Sequence, residues 1–96
     1  MKAYELLYFV APQADDDSRK RVSDRINNAL AGKGEIDNVE EWGKRKLAYE
    51  IDGLAEGDYT LIDFHAEPDA IAELDRVLRI TDACKRHMIV RRVDRD

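Results

Sequence analysis

Two stretches with apolar residues at helical spacing are each held between stretches patterned for strands, and a chain of 96 residues in that order has few folds open to it. The first strand signal runs from Tyr4 to Val10 and is closed by Pro12. Asp15, Asp16 and Asp17 then suit a helix N-terminus, where carboxylates cap free N–H groups and complement the dipole. Val22, Ile26, Ala29 and Leu30 keep the helical period, and Gly32 and Gly34 stop it. A long second strand follows. Its first part, Glu35 to Glu41, carries Ile36 and Val39, Trp42-Gly43 marks a bend or bulge, and Leu47, Tyr49 and Ile51 alternate at period two.

Asp52-Gly53 and Glu56-Gly57 are read as bracketing a turn, after which Ile62, Phe64 and Ala66 alternate with Asp63 and His65 as a third strand. Pro68 ends that strand and Asp69 begins a second helix bearing Ile71, Leu74, Val77 and Leu78; Thr81-Asp82 breaks it, and Met88 to Val93 is the fourth strand. The order β-α-β-β-α-β predicts an α+β, ferredoxin-like split βαβ: a four-stranded antiparallel sheet with both helices on one face. Strands one and three then lie in the centre. Residues 1–96 read as a single domain, able to bury one modest core and too short to enclose a deep catalytic cleft as well.

Strand parity divides the sheet residues between its faces. The set containing Leu6 and Phe64 is assigned to the helix-covered side. Leu7, Phe9 and Leu61 then fall on the uncovered side, joined by Met88 and Val90 from strand four. A contiguous apolar patch there would be a docking surface, and these five are the candidate partner contacts. Scattered exposed apolar side chains are the alternative, and both readings stay open.

The residues offer little to an enzyme. His65 and His87 are the two histidines, and neither a nucleophile elbow nor a glycine-rich phosphate loop is present. Asp63 and His65 share a strand face, where a solvated polar pair explains them better than acid–base chemistry. Cys84 and His87 have a metal-like spacing, but two ligands make no metal site, and Cys84 reads as a small hydrophobe under strand four. A lone cysteine excludes an intrachain disulfide and fits a reducing compartment. No apolar run is long enough to span a bilayer, and the charged start is a poor signal peptide, so the expectation is a cytoplasmic chain without membrane, metal or cofactor.

The formal net charge of −5, in a chain that is 39% charged, argues against nucleic acid in bulk, but a polyanion responds to the local patch. Lys44-Arg45-Lys46 forms a tight run beside Trp42 and Tyr49, while Lys85-Arg86, Arg91-Arg92 and Arg95 load the last strand and tail. Such cations suit phosphate oxygens, and a neighbouring aromatic ring can stack on an unpaired base. Charge on an edge strand also prevents pairing with other copies, and on charge alone that explanation carries more weight.

The chain resembles one known family over essentially its whole length. Tyr4-Glu5, the block Glu41-Trp42-Gly43-Lys44-Arg45-Lys46-Leu47-Ala48-Tyr49-Glu50-Ile51, the lead-in Gly57-Asp58-Tyr59, the segment Phe64-His65-Ala66-Glu67-Pro68, Leu78-Arg79-Ile80 and Arg86-His87-Met88-Ile89-Val90-Arg91 are similar to the bacterial small-subunit ribosomal protein S6 family. Glu50 stands where many members have proline. The resemblance implies a non-catalytic protein of the ribosome, binding small-subunit (central domain) ribosomal RNA as a heterodimer with ribosomal protein S18, with no small-molecule substrate. A basic partner sharing the RNA contact would explain an acidic chain. By position, the resemblance carries Lys2, Lys44, Arg45, Lys46, Arg79, Arg86 and Arg91 over as RNA contacts, and the terminal charge cluster adds Arg92.

Overall fold

The computed structural model describes residues 1–96. Strand β1 is Lys2–Val10, helix α1 Asp16–Leu30, strand β2 Gly34–Ile51, strand β3 Leu54–Ala66, helix α2 Pro68–Ile80 and strand β4 Arg86–Arg91; a 3₁₀ turn, Val93–Arg95, follows. The strands form one sheet in the order β2-β3-β1-β4 with every neighbouring pair antiparallel, so β1 and β3 are central as expected.

Both helices form where the local chemistry favours them. The Asp15 carboxylate accepts the Ser18 N–H at 2.8 Å at the start of α1, with Asp16 and Asp17 in the first turn. Pro68 opens α2, where its missing N–H goes unused. Val22, Ile26 and Leu30 on α1, and Ala70, Leu74 and Leu78 on α2, recur every four residues and are all buried. They close over Tyr4, Leu6 and Val10 of β1 and Ile62, Phe64 and Ala66 of β3, with Cys84 at the margin. The Leu6 and Phe64 sets therefore face the helices, and the opposite face of the sheet carries no helix.

Two local expectations need correction. Asp52-Gly53 alone makes the turn: both residues have positive φ (52° and 78°) and Ile51 pairs directly with Leu54, a two-residue hairpin whose twist matches its strands. Glu56-Gly57 lies inside β3, opposite Lys46 and Arg45. Strand β4 spans Arg86–Arg91 and not Met88 to Val93, because after Arg92 the chain turns back over the sheet. The Trp42-Gly43 bulge is present. The register shifts between Glu41 and Gly43, and Gly43 adopts φ 77° with open space where a Cβ would stand. Val10 pairs with Asp58, so the part of the hairpin beyond Asp58 projects past the end of β1.

Candidate nucleic-acid interface

The uncovered face grades in chemistry along β1. At one end Glu5 lies between Asp63 of β3 and Val90 of β4; at the middle Leu7 lies between Leu61 and Met88; at the other end Phe9 lies between Tyr59 and Arg86. The apolar residues fall on the face that parity assigned to them, but not all are available to a partner. Phe9 is only 2% exposed and Leu61 9%, so these two are interior to the chain itself, whereas Met88 is 56% and Val90 37% exposed. Phe9 is covered because β3 passes close to it. Its ring lies 5.1 Å from that of Tyr59, and a Cβ on Gly57 would stand 2.6 Å from a Phe9 ring carbon. Only glycine lets the strand approach so closely.

The cations divide into two populations. Arg79 is paired with Asp75, Arg91 with Asp96, Arg92 with Glu5 and Asp94, and Arg95 with Glu5 and Asp63. Arg91 also lies over the Tyr4 ring on the helix side, 5.6 Å from its centroid. These arginines are already engaged by carboxylates of their own chain. Lys44, Arg45, Lys46, Lys85 and Arg86 form no intrachain ion pair, and the sheet brings all five to the Phe9 end. Arg86 is paired in register with Phe9, the Lys85 N–H donates to the Phe9 carbonyl at 3.0 Å, and Arg45 stands opposite Gly57. Two carboxylates stand in register with the run: Asp58, opposite Lys44, is taken by Arg19, and Glu56, opposite Lys46, forms no ion pair. Lys2 is also unpaired but begins β1 at the far end, opposite Ala66. Of the eight sequence candidates, Lys44, Arg45, Lys46 and Arg86 are brought together; Lys2, Arg79, Arg91 and Arg92 stand apart or neutralised. Lys85 joins the four through the β1–β4 register, which a linear reading of charge does not give.

At the opposite end the terminal residues strap the sheet. The Arg92 N–H donates to the Ala3 carbonyl at 2.9 Å and the Ala3 N–H donates to Asp96 Oδ1 at 2.7 Å. Arg92 reaches Glu5 at 3.0 Å, and Arg95 reaches Asp63 at 2.6 Å and Glu5 at 3.2 Å. The Arg91 guanidinium and the Ala3 N–H together hold the Asp96 carboxyl down to about 2. His65 secures the strap from β3: its Nδ1 meets Asp37 at 2.5 Å and its Nε2 meets the Arg95 carbonyl at 3.3 Å. Both partners are acceptors, so the ring completes both bonds only as an imidazolium, and the hydrogen bond to Asp37 raises its pKa. Asp63 and His65 thus engage different partners and form no acid–base pair.

The remaining reactive groups have structural roles. His87 Nε2 lies 2.7 Å from Asp75, tying β4 to α2, and that bond lowers the Asp75 carboxyl. Burial pushes the Cys84 thiol up to about 12, which leaves no thiolate near neutrality. The arrangement offers a polyanion fixed positive charge beside aromatic rings. It positions no nucleophile against a base.

Comparison with known proteins bears on this geometry. A family model described as Ribosomal protein S6 matches residues 3–91. The small ribosomal subunit protein bS6 of Caldanaerobacter subterraneus subsp. tengcongensis is 44% identical over 95 residues, covering 98% of this chain and 100% of its own. That of Clostridium perfringens (strain ATCC 13124) is 46% identical over 92 residues, covering 95% and 97% respectively. The crystal structure of 30S ribosomal protein S6 from Thermotoga maritima matches with a TM-score of 0.85 at 35% identity, over 97% of this chain and 89% of that one.

Proposed function

The chain belongs to the ribosomal protein S6 family, and from that premise we propose that it binds small-subunit (central domain) ribosomal RNA together with ribosomal protein S18, as one RNA-binding domain residing on the ribosome in the cytoplasm. It is a structural, non-catalytic protein, so its work is recognition without turnover. The observation that carries the RNA reading is the gathering of Lys44, Arg45, Lys46, Lys85 and Arg86, none of them in an intrachain ion pair, at one end of a molecule that is acidic overall. These side chains meet phosphate oxygens and fix the register of the protein on folded RNA. S18 docks on the uncovered face beside them, against Leu7, Met88 and Val90, with Phe9 and Leu61 as the buried floor beneath. The partner's own cations then offset the acidic remainder of this chain.

Filter binding of a central-domain RNA fragment to the chain with S18 present tests this reading. Arg45→Ala and Lys46→Ala are expected to weaken binding severalfold each, whereas Arg92→Ala, which removes a cation already engaged by Glu5 and Asp94, leaves affinity nearly unchanged. Undiminished affinity in both Arg45→Ala and Lys46→Ala removes the strand β2 run from the interface.

A further inference from the structure

We propose that the cleft between Trp42 and Tyr59 is a seat for one unpaired nucleobase, with the adjoining phosphate held by Arg45 and Lys46. This rests on the RNA reading above and specifies the ligand at its aromatic edge. The cleft measures about 290 Å³ and is lined by Leu7, Trp42, Arg45, Lys46 and Tyr59. It has an apolar floor, two aromatic walls and two cations, with no carboxylate among them. The bulge creates it. Trp42 is the extra residue of β2, and Gly43 takes the position opposite Tyr59, with open space where its Cβ would stand. The Trp42 and Tyr59 rings stand 6.5 Å apart at 35°, tilted and not stacked face to face, and Trp42 remains 40% exposed. Two partly open aromatic faces beside unpaired cations match a base on its sugar-phosphate chain, because every base presents a π face and every phosphate a negative charge. A double helix hides its base faces and offers only the phosphates. The cleft therefore selects single-stranded, looped or bulged RNA.

The chain's only tryptophan reports on the cleft directly. The full-length chain is titrated with single-stranded hexauridylate at low salt and up to millimolar concentration, following Trp42 fluorescence. Quenching is expected with hexauridylate and not with inorganic tripolyphosphate or a short RNA duplex. Trp42→Leu, read by anisotropy of labelled hexauridylate, is expected to bind roughly tenfold more weakly with an unchanged thermal midpoint, on the scale of one lost base stack. Equal affinity of Trp42→Leu and wild type, with Arg45→Ala still weakened, overturns the base seat while leaving phosphate binding in place. Quenching by a short aromatic peptide but not by hexauridylate assigns the cleft to protein and likewise overturns it. No response to millimolar hexauridylate also overturns it, and the filter-binding assay with S18 then decides the wider RNA reading separately.

Discussion

Gly57 and Phe9 approach closely enough that one methyl group separates a folded sheet end from a strained one. Gly57→Ala would place a Cβ 2.6 Å from the Phe9 ring inside a buried strand, and a destabilisation of about 1–3 kcal/mol is expected, measured by urea denaturation. Gly43 depends on glycine for a different reason. A Cβ there meets nothing, so Gly43→Ala is expected to lose about 1 kcal/mol through its φ of 77° alone, read from the same denaturation curves. In sequence Gly57 looks like turn chemistry, because glycine signals both turns and close approach, and only the position of Phe9 separates the two. His65 is a second residue whose part depends on distant neighbours. Asp37 on the β2 bulge, Glu35 beside it and the Arg95 carbonyl from the strap all favour its charged form. Its folded pKa is raised, so the stability it contributes is fully present below about pH 6.5, the ordinary histidine value, and is lost as pH rises through the raised folded value. Comparing wild type with His65→Gln by denaturation at about pH 5.5 and about pH 8.5 checks this: the difference should be the larger at the lower pH.

The helices were the most legible elements, because Val22, Ile26 and Leu30, and Leu74 and Leu78, show a period that only one packing satisfies. Leu74→Ala is expected to cost about 2–5 kcal/mol, measured by thermal or urea unfolding, since Leu74 has no solvent exposure and sits between α2 and the sheet. The paired strands were legible in parity but not in extent. Leu47, Tyr49 and Ile51 alternate as well as any strand, yet they lie on the part of the hairpin that projects beyond β1, and Tyr49 remains 68% exposed. The terminal strap was not legible at all. Arg92 and Arg95 read as free charge because Glu5 and Asp63 lie far away in sequence and are brought near only when the strands pair, and Arg91 meets the nearby Asp96 only because the chain turns back after β4. The Asp96 carboxyl, held at about 2, contributes stability to the strap above the ordinary aspartate range, and that contribution fades as pH falls toward 2. The Ala3 amide proton, whose bond to Asp96 closes the strap, should shift in NMR spectra over that interval and do so no longer in Asp96→Asn.

At the scale of the molecule, a net charge of −5 coexists with a cluster of cations that form no ion pair at one end, while the arginines of the terminal strap are paired with carboxylates of their own chain. Composition alone misses this separation; the strand order supplies it. If the free cations displace counterions from RNA, the affinity of the S18-bound chain falls with salt, and Arg45→Ala reduces the slope of log affinity against log salt by roughly one, whereas Arg95→Ala does not. Binding measured across a salt series checks this. The meeting of Ala3 with Asp96 has a practical consequence of its own. Strand β1 begins beside both ends of the polypeptide and runs nine residues, about 25–30 Å, before it reaches the Lys85 and Arg86 end. A fluorophore or affinity handle attached at Met1 or Asp96 stands a full strand length from the cationic pole, and a short peptide joining these two residues would permit the backbone to be reopened at the Asp52-Gly53 turn without disturbing the core.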